Sequence, residues 1–354
     1  MLWTDRMAST STRTLLVPLA LLSLGAACTS GGEEDVGDVS GALGTYEVTS
    51  SYDATGALPE VVGDSLETLT GLDDDPAGSM IQLLQDADVP IVDQLLDSIP
   101  GALRDQFEGW VNDYIADRVY MGVPVTEEIA RWAADISGML TRFDVVSELD
   151  LARLDEGGHT DANHMLGAVG FDMRGSYRLI DTPAIVDQLT VARTVAVSVT
   201  SDDIGGGTIE IGDHAFHMPL GDFALVGFNQ GLSALFGASD LTALLSGMID
   251  CAGLAANIAD RCVGPVCVGH ESEIQQFCTA GVELAVAEIE RRIASVEFVE
   301  LAHSAGSGVL LGENKTDGTA TVFEQIEAGT WDASVNLDGV GAPIGATFMG
   351  ERVR

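Results

Sequence analysis

The sequence predicts an α+β fold, an antiparallel, barrel-like sheet packed with amphipathic helices and a disulfide-stapled helical hairpin. Three observations point there. Strand-like alternation gathers at about 143–225 and 295–352 while helical periodicity fills about 58–142 and 238–294, so the β-α-β rhythm of a parallel sheet is missing. Gly44 to Tyr52 (GTYEVTSSY) is echoed near the other end by Gly329 to Asp338 (GTWDASVNLD), followed by a further strand, ATFMGERV, which lets the first and last strands pair or flank each other and close the sheet on itself. Cys251, Cys262, Cys267 and Cys278 stand in a symmetric C-x10-C-x4-C-x10-C pattern.

In chain order, Arg6 and Arg13 precede an apolar run from Leu15 to Ala27, which has the length of a signal core and is too short to span a bilayer. Gly25, Ala26 and Ala27 lead into Cys28. This segment resembles the cleavage box of bacterial lipoprotein precursors, although the aliphatic Leu24 lies one position earlier than that family places it. The resemblance implies removal of residues 1–27 and a lipid on Cys28. Thr29 is not the aspartate of an inner-membrane retention signal, so the implied address is the outer membrane, on its periplasmic face or at the cell surface. The competing reading is an ordinary secretory signal with Cys28 an incidental thiol. Cysteine arithmetic favours lipid, because five cysteines less Cys28 leave an even four for an oxidising compartment. Residues 28–43 read as a flexible acidic tether and 44–354 as one globular domain.

Within that domain, Ile91, Val92, Leu95, Leu96 and Ile99 form one helical stripe, and Leu103, Phe107, Trp110, Tyr114 and Ile115 a second. Thr126 reads as an N-cap ahead of Glu127 and Glu128, with Ile129, Trp132, Ala133, Ile136 and Leu140 as the buried face. Strand alternation follows in Phe143, Val145, Leu149 and Leu151, in Val169, Phe171 and Met173, and in Val195, Val197 and Val199. Gly212-Asp213 reads as a two-residue hairpin turn joining Ile209–Ile211 to His214–Met218. A step of eleven residues is close to three helical turns, so Cys251 with Cys262, and Cys267 with Cys278, would share helix faces. Nested bridges, Cys262 to Cys267 and Cys251 to Cys278, satisfy the symmetry; the other two pairings and a zinc site remain alternatives.

Lys and Arg total 16 against 55 Asp and Glu, a net charge of −39; without residues 1–27 the balance is 14 − 54 = −40. No basic stripe exists to neutralise phosphates, so nucleic acid is not an expected partner.

Gly63-Asp64-Ser65-Leu66, Asn112 within GWVND, and Asp161 with His164 in a D-x-x-H block resemble, in order, the motifs of the SGNH (GDSL) esterases. That resemblance implies Ser65 as nucleophile, His164 as base, Asp161 as its orienting carboxylate and Asn112 as an oxyanion donor. His159, His164, His214 and His217 with Asp161 and Asp213 are candidate metal ligands, but His214 and His217, three apart on a strand, point to opposite faces. Glu313, Asp317 and Glu324 occupy acidic positions of a calcium-loop-like stretch in which Lys315 opposes a cation. No cofactor is expected. The reading is a membrane-anchored envelope lipoprotein that binds an apolar or lipid-like ligand without catalysis; the alternatives are an SGNH-like esterase and a structural or adhesive envelope protein.

Overall fold

Eight antiparallel strands close into a barrel, and the two ends of the folded chain lie side by side in its wall. The computed structural model describes residues 38–57, 75–86, 101–182, 192–202, 206–259, 261–263, 266–267, 270–313, 322–337 and 340–353. The sheet is built from β1 (Gly44–Asp53), β2 (Arg142–Leu151), β3 (His159–Met173), β4 (Ser176–Asp181), β5 (Ala192–Ser201), β6 (Gly206–Ile211), β7 (His214–Met218), β8 (Phe298–Glu313), β9 (Val322–Leu337) and β10 (Val340–Val353). The closed path runs β9-β10-β1-β2-β3-β5-β6-β8 and returns to β9; β4 adds to β3, and β7 to β8. The expected closure holds: β1 pairs along its length with β10, Thr45 facing Val353 and Asp53 facing Gly345.

Period-2 patterning decides what fills the barrel. Phe143, Val145, Leu149 and Leu151 of β2, Val169, Phe171 and Met173 of β3, and Val195, Val197 and Val199 of β5 are all buried, as the alternation predicts. The Gly212-Asp213 hairpin is not formed. Ile211 faces Gly306 and His214 faces His303 in one register, so the chain runs on through Gly212 along β8 instead of folding back.

Helices α1 (Pro76–Asp86), α2 (Gly101–Ala116) and α3 (Val125–Thr141) lie between β1 and β2; α4 (Leu220–Phe236), α5 (Leu241–Ile249), α6 (Cys251–Ile258) and α7 (Glu271–Ala294) lie between β7 and β8. The stripe from Ile91 to Ile99 lies outside the described residues. Helix α3 begins one residue before the expected cap, behind Pro124, and its predicted face is buried. Glu128 of the first turn is buried too: it accepts from Trp132 Nε1 at 2.8 Å and from Arg174 Nη1 at 2.6 Å. This ties the helix to the β3–β4 turn, since a buried carboxylate persists only when paired. Helix α4 approaches the sheet through Gly227, which Met139, Phe171 and Ile180 surround.

The Cys251–Cys278 bridge is present, with Cα atoms 5.5 Å apart, and staples α6 to α7. The rest of the expected hairpin differs. Helix α6 ends at Ile258, so Cys262 shares no helix with Cys251; it is disulfide-bonded and stands across from Cys267 in a two-residue antiparallel ladder. Removing Cys251–Cys278 by a double alanine substitution is expected to cost roughly 3.5 kcal/mol, the loop-closure entropy for a sequence separation of 27. Chemical denaturation reads this, and an unchanged midpoint would refute it. Leu241–Ile258 is long and apolar enough to cross a membrane by length and composition alone. Asp250, at φ 50, breaks it into α5 and α6, and Leu244, Met248, Leu254 and Ile258 are buried.

Candidate functional site

Polar residues interrupt the apolar interior on several strands. On β1, Ser50 sits between Val48 and Tyr52; on β2, Ser147 sits between Val145 and Leu149; on β3, His164 sits between Ala162 and Leu166. His214 of β7 and His303 of β8 face each other in register. The three imidazoles meet in the barrel: ring centroids lie 4.9 Å apart for His164 and His214, and 4.6 Å for His214 and His303. Trp331 and Phe216 close around them.

Hydrogen bonding fixes part of the proton arrangement. A carbonyl can only accept, so the 3.0 Å contact with Gly212 O places the His214 proton on Nδ1. Its neutral Nε2 then accepts from His164 Nδ1 at 2.9 Å, and neutral His164 Nε2 accepts from the Ser147 hydroxyl at 2.8 Å. The Val48 carbonyl, 3.2 Å from Ser147 Oγ, is the weaker competing acceptor. His303 Nε2 lies 2.7 Å from the Tyr52 hydroxyl, and Nδ1 has no partner whichever nitrogen carries the hydrogen. Trp331 Nε1 donates to Ser50 Oγ at 3.0 Å.

Burial holds all three rings neutral. It lowers His164 well below the ordinary histidine range, with His214 and His303 adding to the effect. His303 is pushed down to about 3 by burial and by His214, partly offset by the His214 backbone. Burial also lowers His214, against the Gly212 carbonyl and Asp213. Ser147 and His164 resemble a nucleophile and base in spacing, yet both are 2 % exposed, so no substrate reaches them.

The outer wall carries a different feature. Asp161 faces Ala196, Gly212 N donates to Ala196 O at 2.7 Å, and Ala305 faces Asp332. Small residues thus cross the middle of a row that carboxylates bracket. Beside it, His159 faces Ser198, Ser198 faces Glu210, Glu210 faces Ser307, and Ser307 faces Thr330. The result is an open trough of about 850 Å³, whose lining includes Asp155, Asp161, Glu210 and Asp332 but no Lys or Arg.

The structure separates the residues that the motifs grouped. Asp161 is exposed on the outer wall while His164 is buried inside, because residues three apart on a strand face opposite ways. The acid–base pair of an esterase is therefore not assembled, and the antiparallel barrel is not that family's parallel sheet. Asn112 binds the start of α1, its Oδ1 accepting from Ala77 N at 2.8 Å and its Nδ2 donating to Asp75 at 2.6 Å; Ser65 lies outside the described residues. Of the candidate metal-binding histidines, only His164 and His214 come together; His159 lines the trough and His217 pairs with Glu297 at 2.9 Å. Among the described residues no group of three has metal-holding geometry. Glu313 ends β8 and Glu324 lies near the start of β9, with Asp317, like Cys28, outside the described residues. His303, Tyr52, Ser50, Ser147 and Trp331 were not singled out by motif, although a Ser or His at an inward position of an apolar alternation was the available signal. No protein-family model, curated protein or solved structure matches this chain.

Proposed function

We propose that the chain is an envelope lipoprotein, held to the outer membrane through Cys28, that acts by non-covalent binding and presents the outer trough as its binding surface. The observation that carries this reading is the trough itself: carboxylates bracketing a floor of small residues, with hydroxyls of Thr160, Ser198, Ser307 and Thr330 beside them and no Lys or Arg in the lining. Such a lining complements a cationic, hydrogen-bond-donating ligand such as a polyamine or a lysine-rich peptide. The surrounding field, from a net charge of 14 − 54 = −40 without residues 1–27, attracts the same class. Titration calorimetry with spermidine or oligolysine at low salt is expected to show binding that Asp161→Asn with Asp332→Asn weakens about tenfold, the loss of roughly 1.4 kcal/mol. Binding unaffected by this double substitution would place the ligand elsewhere, and absence of binding would end the cationic reading. Lipidation is checked separately by intact mass, where an unacylated mature chain would remove the anchor.

A second reading, the apolar or lipid-like ligand, draws on one feature. Residues Val119–Tyr120 and Val123–Pro124 form a minimal hairpin whose Met121 and Gly122 both have positive φ, as a tight turn of this hand requires. Val119 and Met121 are 64% and 71% exposed on it, and Tyr120 contacts Phe236, next to the exposed Leu235. Lipid copurifying with the protein, detected by mass spectrometry, is what this reading expects.

A further inference from the structure

We propose that His164, His214 and His303 form an acid-sensitive latch in the barrel wall: proton uptake among the three rings releases β7 from β8 and opens that seam while the rest of the barrel stays closed. The inference stands on the cluster's geometry and does not depend on the trough having a ligand. Three imidazoles, with His214 in ring contact with both His164 and His303, cannot all carry charge, since like charges within a few ångströms in a low-dielectric interior repel strongly. No acidic side chain lies among the buried rings, and burial outweighs the Gly212 carbonyl and Asp213, which favour a proton on His214. From β1 the rings meet Tyr52, from β2 Ser147, from β9 Trp331, and from β7 Phe216, all neutral. The flanking charges on the wall are Asp213, next to His214, and Arg193 of β5, which faces His164 in register and donates to Ala215 O at 2.8 Å.

The seam is the weakest strand contact the cluster touches. Strand β7 has five residues, and its ladder with β8 breaks register between Phe298 and Leu301. His214 is the only one of the three rings that is partly exposed, so protons enter there. A proton on its Nε2 removes the acceptor of His164 Nδ1 and sets two N–H groups against each other. Separating β7 from β8 moves His214 off His303 and into water, which relieves the repulsion, and histidine clusters that protonate near pH 5–6 flip interfaces by this route.

Hydrogen exchange of the full mature chain tests the proposal. Corrected for intrinsic rates, amides of 214–218 and 298–303 are expected to lose protection about thirty-fold between pH 7.5 and pH 5, the linkage for one proton taken up over about 1.5 pH units below the ordinary histidine pKa. The β1–β10 ladder should keep its protection, and His214→Gln should abolish most of the response. Unchanged protection at 214–218, or an equal loss around the whole barrel, overturns the latch. If the variant does not fold, an NMR titration of the wild type decides: His214 must titrate together with opening of 214–218, and titration without opening refutes the proposal.

Discussion

Replacing Trp331 with alanine is expected to cost the barrel about 4 kcal/mol, within the range for emptying a large aromatic from a packed core. Trp331 is 5% exposed and lies 4.4 Å from Phe348 and 4.7 Å from His303 by ring centroid. A Cβ on Gly306 would overlap its ring, so the facing strand is built around the indole and leaves little freedom to collapse into the vacancy. The substitution also strips Ser50 of its buried donor. Trp331→Phe retains most of the volume and loses that hydrogen bond, so a smaller cost of about 1–2 kcal/mol is expected. Urea denaturation at pH 7.5 with an unchanged m-value measures both, and a loss below about 1 kcal/mol for alanine would show that the barrel repacks freely.

The architecture was legible wherever local and tertiary demands agreed. The Gly44–Tyr52 strand and its echo at Gly329–Asp338 both alternate, and closure of a barrel asks nothing more of them; β10 lies between them in the wall. Helix α3 was legible because its apolar stripe has a single period. Gly212-Asp213 misled because the dipeptide carries a turn signal, whereas the pairing partner that keeps the strand straight, β8, lies far along the chain. Cys262 misled likewise: spacing alone fits a helix face, but the helix stops at Ile258 and the symmetry is met by a ladder.

The interior cluster was hidden for another reason. Motif reading groups residues that are near in sequence, so it joined Asp161 to His164 and His214 to His217, pairs that a strand sends to opposite faces. The actual partners come from separate strands, Ser147 and His164, then His214 and His303. What the sequence carried was the anomaly of Ser147 inside the stripe Phe143, Val145, Leu149, Leu151, a polar position that the interior must satisfy. The trough was hidden similarly, since a depression made by Ala196, Gly212 and Ala305 exists only once the register aligns them.

Acid is expected to unfold this protein well above the pH at which carboxylates titrate. His303 has a folded pKa of about 3 against an ordinary value of 6.5, so the neutral ring is favoured by folding and the unfolded chain binds the extra proton. Its contribution to stability is therefore complete above pH 6.5, is lost as pH falls through 6.5, and stops changing below about 3. Each such proton costs about 1.4 kcal/mol per pH unit, which for His303 amounts to about 2 kcal/mol between pH 7.5 and pH 5. His164, lowered by burial and by the neighbouring rings, and His214, lowered by burial against the Gly212 carbonyl and Asp213, act in the same direction. Carboxylates with lowered pKa, such as Asp240 at the start of α5 and Glu288 beside Arg291 and Arg292, lose their contributions only in the carboxylate range. The window from pH 6.5 to 5 thus belongs to the histidines. Screening of the acidic surface shifts the whole curve with salt but leaves this slope, because buried groups are little screened. Denaturation midpoints at pH 7.5, 6.5, 5.5 and 5 measure it directly. In His303→Phe the slope over that window should drop by one proton's worth, about 1.4 kcal/mol per pH unit; a slope equal to that of the wild type would mean that His303 already carries its charge inside the barrel, contrary to the burial that surrounds it.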